Sequence, residues 1–334
     1  MTQSISEVLK LQPVVMKQLQ MIYQKQRIAH AYLFEGGKGT GKQAVMRAFV
    51  KLLLCENPLQ NVPCETCRGC RRFESGNHPN FMVVEPDGQD IKKDQILQVI
   101  MEMNKTSLEA GRKIYVIQRA DRLNPSSANT LLKFLEEPEG QVHAILLTEK
   151  PYAILPTIRS RVQQISFPSI PRDERVKSLI QQGLTASMAA TVSMVTNDIE
   201  EALVLAKDEQ FAQARKTVLK LVEVAETNVH EAMLCVQEDW LPTFKEKEET
   251  ELGLDLLLFA YRDLVAVKAN PDAVCTYPDI MHFYQQRVLH VTYEQLSDKI
   301  QAILKAKQQL HRNMNRTLLM EQLMLNLQEG FSFV

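Results

Sequence analysis

Over the first 167 residues, short apolar runs alternate with longer amphipathic stretches. Residues 31–34, Phe81–Val84, 114–117 and 144–147 are runs of four consecutive apolar or aromatic side chains, the pattern of strands buried on both faces. Between them, Lys42–Leu54, 94–103 and 126–137 repeat apolar positions at helical spacing. Strands that alternate with helices predict a parallel sheet with helices on both faces. A last strand-like run ends at Phe167, and past Phe167-Pro168-Ser169 the strand signals thin out. Residues 168–207 predict a small helical domain, in which Gly183 ends one helix and Asn197-Asp198 opens another. Residues 208–334 are helical throughout in pattern. Leu296, Ile300, Ile303, Leu304, Lys307 and Leu310 form one stripe there, and Leu318 to Leu327 another; both read as core or subunit packing. The run Lys245-Glu246-Lys247-Glu248-Glu249 reads as a solvated helix or loop.

At the N-terminus, Val8, Leu11, Val15, Leu19 and Ile22 recur at helical spacing with Lys10, Lys17 and Gln18 between them. That is an amphipathic helix rather than a signal peptide. No apolar run is long enough to span a bilayer, so the expectation is a cytoplasmic chain with no membrane partner. A length of 334 residues, 45% of them hydrophobic, supports two or three domains. The net charge of −1 excludes a global basic field for nucleic acid.

Residues 36–43 read Gly-Gly-Lys-Gly-Thr-Gly-Lys-Gln, between a predicted strand and a predicted helix. Gly36, Gly39 and Gly41 let the backbone turn tightly and aim N–H groups at phosphate oxygens. Thr40 lies among them, Lys42 would reach the terminal phosphates, and the helix N-terminus favours negative charge. The pattern then calls for Ser or Thr to hold Mg²⁺ through a short hydroxyl, but this chain has Gln43. Two readings stand side by side: a site for ATP or ADP, and a glycine loop kept for folding.

Phosphate-loop ATPases hold Mg²⁺ with an Asp at the end of a buried strand, and many place a Glu after it to activate water. Here the run 114–117 is followed by Gln118 and Arg119. Asp121 lies three residues past Gln118, too far to take the strand-end place without a register shift. General-base help is worth about 10²–10⁴ in rate, so losing the base and the metal contacts should leave almost no hydrolysis.

Four of the six cysteines, Cys55, Cys64, Cys67 and Cys70, fall within sixteen residues. Four thiolates in so short a stretch suit a closed, tetrahedral, structural Zn²⁺ site. An iron–sulfur cluster is the second option. Arg68, Arg71 and Arg72 surround this module and would be solvated or touch nucleic acid. Cys235 and Cys275 read as buried thiols. Ser160 and Arg161 precede the last strand of the α/β region, at its edge.

Together these residues resemble the clamp-loader branch of the AAA+ proteins. The resemblance rests on His30-Ala31-Tyr32-Leu33-Phe34, the inserted Cys₄ module and Gly76-Asn77-His78-Pro79. Further on it rests on Ile91-Lys92-Lys93-Asp94-Gln95-Ile96, on Asn129-Thr130-Leu131-Leu132-Lys133-Phe134-Leu135-Glu136-Glu137-Pro138, and on Ser160-Arg161. It is dense over residues 1–167 and thin beyond, where Asn313-Met314-Asn315 and Leu318 to Leu325 look like the family's closing helix. It implies an AAA+ domain (1–167, with the zinc module at 55–70), a helical lid (168–207) and a helical collar for oligomerisation (208–334). It also implies partners: motor subunits of the γ/τ type, a δ subunit, and through the complex a ring-shaped sliding clamp on primed DNA. Because the two acids and the hydroxyl are missing, the chain matches a non-hydrolysing member of such a ring. In that role Ser160 and Arg161 would direct an arginine finger at the ATP site of the neighbouring motor subunit. The lid position where motor subunits carry a phosphate-sensing Arg falls near Glu200. The alternatives are an active AAA+ ATPase with unusual ligands and a zinc-knuckle protein that binds nucleic acid.

Overall fold

The computed structural model describes residues 11–104, 111–136, 141–312 and 314–329. Val8, Lys10, Glu137, Pro138 and Asn313 lie outside them. The described chain divides into two compact units, Met1–Pro171 and Arg172–Val334.

The first unit is the expected α/β layer structure. Its strands are β1 (Ala31–Glu35), β2 (Phe81–Val84), β3 (Lys113–Ile117), β4 (Val142–Thr148) and β5 (Gln163–Ser166). They form one parallel sheet in the order β2-β3-β4-β1-β5. The predicted runs are therefore strands, each within two residues of its expected limits. Alternate residues face opposite layers. Tyr32, Phe34, Ile114, Val116, Ile145 and Leu147 pack with Val15, Leu19, Val45 and Phe49 of helices α1 (Pro13–Gln24) and α2 (Lys42–Leu54). On the other face Ala31, Leu33, Tyr115, Ile117, Ala144 and Leu146 pack with Val99, Leu131 and Leu135. Those last three belong to α4 (Lys93–Asn104) and α5 (Pro125–Glu136). Short helices α3 (Arg68–Glu74) and α6 (Pro156–Arg159) complete the unit. β1 and β4 are central and buried, so the loop leaving β1 emerges in the middle of the sheet's C-terminal edge, where ligands of open α/β sheets bind.

The second unit is helical. It starts with α7 (Arg172–Gln181), α8 (Ala186–Val195) and α9 (Ile199–Leu205). Gly183 does follow the first of these with a positive φ of 95°, and the Asp198 carboxylate caps α9 by accepting from the N–H groups of Glu200 and Glu201. There follow α10 (Glu209–Ala225), α11 (Val229–Cys235), a π-helical turn at Val236–Trp240, and α12 (Lys247–Ala269). Last come α13 (Met281–Arg287), α14 (Tyr293–His311) and α15 (Arg316–Glu329). The charge run at 245–249 has a local role: Glu246 and Glu249 form a capping box that starts α12. Leu296, Ile303 and Leu310 are core as expected, as are Leu319, Leu323 and Leu327, whereas Leu304, Leu318 and Leu325 are exposed. Cys235 and Cys275 are buried, and burial pushes their thiols up to about 12 and about 11. Among the described residues, no helix is long and apolar enough to cross a membrane.

A phosphate loop, a cysteine knuckle and an edge arginine

The phosphate loop runs from the end of β1 into α2. Gly36 is needed there because a Cβ would sit 2.8 Å from the carbonyl oxygen of Phe167. Gly39 and Gly41 take φ of 74° and 75°, which only glycine adopts at no steric cost. The loop satisfies itself. The Thr40 hydroxyl donates to the Gly37 carbonyl at 2.9 Å, and Lys42 Nζ donates to the same carbonyl at 2.8 Å. Lys42 Nζ also lies 3.7 Å from Glu149. Behind the loop, the buried Gln12 amide donates to Thr40 O at 2.9 Å and to Pro168 O at 2.8 Å, tying loop, α1 and the chain after β5 together. Sequence reasoning missed Gln12. The only signal was a polar residue one place before a helical Pro.

β3 ends at Ile117, so Gln118 takes the strand-end place and Arg119 follows it with a left-handed φ of 50°. Gln43 Nε2 donates to Gln118 Oε1 at 2.9 Å. The two positions that should converge on Mg²⁺ thus bond to each other as neutral amides. Asp121 is engaged elsewhere, accepting from the Thr148 hydroxyl at 2.9 Å. Glu200 lies in the second unit, in the first turn of α9.

The cysteine knuckle joins the end of α2 to the start of α3. Cys55 caps α2, Cys67 is the N-cap of α3 and Cys70 lies in its first turn. Gly69 lets the two helices approach: a Cβ there would lie 2.4 Å from Leu54 O. A two-residue hairpin at Gln60-Asn61, both with positive φ, returns the chain between Cys55 and Cys64. The four sulfurs all lie within 4.8 Å of one another, with Cys55–Cys64 at 3.6 Å and Cys55–Cys67 at 3.9 Å. Tetrahedral Zn–S bonds of about 2.3 Å place sulfurs roughly 3.8 Å apart, so the set fits such an ion. Backbone N–H groups are already aimed at sulfur: Cys64 N–H at Cys55, Cys67 N–H at Cys64 and Cys70 N–H at Cys67, at 3.3–3.4 Å. Such donors stabilise thiolate, and those from Cys67 and Thr66 bring Cys64 down to about 6. Lys51 and Arg47 of α2 bind Glu74 of α3 at 2.8 and 3.2 Å, clamping the two helices together. One helix of thirteen residues thus carries the loop at one end and the knuckle at the other, about 20 Å apart.

Ser160 and Arg161 sit between α6 and β5. The Arg161 guanidinium bonds Glu136 Oε1 at 2.7 Å, Thr157 O at 3.0 Å and Ser160 Oγ at 3.3 Å. Tyr32 pairs with Gln163, so Arg161 lies before the start of β5 while Gly36 lies beyond the end of β1. From the Tyr32–Gln163 level to Gly36 the strand runs four residues, roughly 13 Å, and Arg161 sits in the turn before that level. Among the described residues, the contacts of Arg161 are with Glu136, Thr157 and Ser160, at the opposite end of β5 from the loop.

Residues 11–171 match a family profile described as DNA polymerase III, delta subunit, and residues 209–329 match its C-terminal counterpart. The chain is 42% identical to the δ′ subunit of DNA polymerase III from Bacillus subtilis, covering 98% of this chain and 99% of that one. It is 29% identical to the δ′ subunit of Escherichia coli over 59% of this chain and 60% of that one. It is 31% identical to the τ subunit of Bacillus subtilis over 47% of this chain and 28% of that one. A solved γ-subunit-related protein of Thermotoga maritima superposes with a TM-score of 0.42 at 17% identity, covering 95% of this chain and 99% of that one.

Proposed function

Because this chain belongs to the DNA polymerase III δ′ family, we propose that it is the non-hydrolysing member of a clamp loader and that it works on a neighbour's nucleotide. The observation that carries the first half is the Gln43–Gln118 bond at 2.9 Å. Neutral amides occupy the two metal-ligand places, and Arg119 adds a cation where an activating Glu would stand. Such a site gives the β- and γ-phosphates neither their metal ion nor a base for the attacking water. The second half rests on Arg161. It lies in the turn that leads into edge strand β5, partly exposed, where an adjoining subunit could present phosphate to it. An arginine finger supplied in trans is worth about 10³–10⁵ in rate. The partners are then motor subunits of the γ/τ type and a δ subunit, with the sliding clamp and primed DNA engaged through the complex.

The lone Cys₄ set supports a structural zinc ion held by Cys55, Cys64, Cys67 and Cys70. When bound, that ion would crosslink α2 to α3 and supply no chemistry to hydrolysis.

Reconstitution with the motor subunits tests the reading. Arg161→Ala should still assemble but lower DNA-stimulated ATP turnover by at least tenfold, while the isolated chain shows no Mg²⁺-dependent turnover. Full turnover by an assembly carrying Arg161→Ala, or turnover by the isolated chain that Lys42→Ala abolishes, would sink it.

A further inference from the structure

Arg161 is not a loose side chain awaiting a partner. Three acceptors of its own chain hold it, and the nearest is charged: Glu136 Oε1 at 2.7 Å. Glu136 lies in the last described turn of α5, two residues before Pro138 in the sequence, on the side where the helix dipole is negative and disfavours a carboxylate. It is exposed, so packing does not require it either. The same helix end favours the guanidinium, which strengthens the parked arrangement.

Resting on the reading of Arg161 as a finger, we propose that Glu136 is its positioning residue. The carboxylate holds the guanidinium at the domain edge and neutralises it until a phosphate oxygen of the neighbouring subunit takes its place. Both anions want the same planar fork of N–H donors, so they compete. Thr157 O and Ser160 Oγ hold the other side of the group and can remain in place during the exchange. The carboxylate therefore sets how readily the finger engages. Glu136 and Arg161 side chains are 41% and 39% exposed, so the pair is a solvated one. Such a pair shifts an equilibrium by no more than about fivefold.

The test uses the full chain reconstituted with its motor subunits, with ATP turnover followed in the absence of DNA. Glu136→Gln removes the competing charge and keeps the shape. It should raise kcat/KM for ATP two- to fivefold by the exposed-pair limit, and the gain should shrink at high salt. Glu136→Asp keeps the charge on a shorter arm, so it should raise kcat/KM less than Glu136→Gln does. In an Arg161→Ala background Glu136→Gln should change nothing, a result that a merely structural role would not give. The proposal is overturned if Glu136→Gln leaves kcat/KM unchanged or lowers it, or if it has the same effect with and without Arg161. If Arg161→Ala alone is inert, the finger reading falls and this proposal falls with it. If Arg161→Ala slows turnover and Glu136→Gln does not raise it, only this proposal falls.

Discussion

Glu226 offers the sharpest test of what holds the helical unit together. Its carboxylate is fully buried at the end of α10, where it accepts from Lys299 Nζ at 2.6 Å, Arg287 Nε at 2.6 Å and the Tyr261 hydroxyl at 2.8 Å. Four helices, α10, α12, α13 and α14, meet on this one side chain. Glu226→Gln keeps the volume and an acceptor for Tyr261 but strands the cations. Arg287 is 30% exposed and can turn to water, whereas the Lys299 side chain is 6% exposed and cannot. Breaking a buried pair costs about 3–5 kcal/mol. With one of the two cations able to escape, about 3 kcal/mol is expected, a large share of the roughly 5–15 kcal/mol a domain holds. For a unit of this size that lowers the melting temperature by about 6–12 °C.

The cost should also depend on pH. Burial lowers the Lys299 pKa below its usual value, although Glu226 opposes this. Removing the carboxylate lowers it further. Between that folded value and the unfolded value of about 10.4, the unfolded chain binds more protons, so stability rises with pH. The deficit of Glu226→Gln should therefore narrow as pH rises from neutral toward 10. Urea unfolding at several pH values measures it. Glu226→Leu with Lys299→Met should recover most of the loss, because an apolar pair replaces a buried ionic one at little cost. A loss below about 1 kcal/mol for Glu226→Gln, or a double variant no better than Glu226→Leu alone, would refute the reasoning.

Three shorter tests address the first unit. Cys67→Ser should abolish stoichiometric zinc, measured by metal analysis of the purified chain, and an excess of chelator should lower the melting temperature of the parent but not of the variant. Gly69→Ala should weaken zinc at least tenfold in a chelator competition, since its Cβ would meet Leu54 O at 2.4 Å and must push α3 away from α2, beyond the ±0.2 Å a metal shell tolerates. Gln118→Ala removes only an exposed amide pair, so it should shift stability by no more than about 0.5 kcal/mol and leave the isolated chain without ATP turnover.

The sheet was legible because its strands are buried on both faces and so read as unbroken apolar runs. The run 114–117 fixed the end of β3 well enough to place Gln118 and Arg119 before any coordinates. The cysteine spacing was legible for a similar reason: four thiols in one short loop have few other uses. What could not be read were contacts between residues far apart in sequence. Gln12 reaches Pro168, Arg161 reaches Glu136 and Glu226 reaches Lys299, and each partner looks like an ordinary polar residue in its own segment. The charge run at 245–249 is the solvated helix start that its composition suggested. What composition alone did not show is that the three-residue spacing of Glu246 and Glu249 builds the helix cap.

On the proposed reading, the phosphate loop keeps the shape of a nucleotide frame without its chemistry. Most of its stabilising contacts are internal to the chain: Gly36 packs against Phe167, Thr40 and Lys42 both donate to Gly37 O, and Gln12 supports the turn from behind. A phosphate entering this loop would have to draw Lys42 away from that carbonyl, a charge-assisted bond worth about 1.5–3 kcal/mol. It would find no metal site to repay that cost, because Gln43 and Gln118 already satisfy each other. In the role proposed above, the sheet and its edge act as a fixed mount. A mount of this kind suits the finger role proposed for Arg161, which depends on being held in one place rather than on any reaction at its own loop.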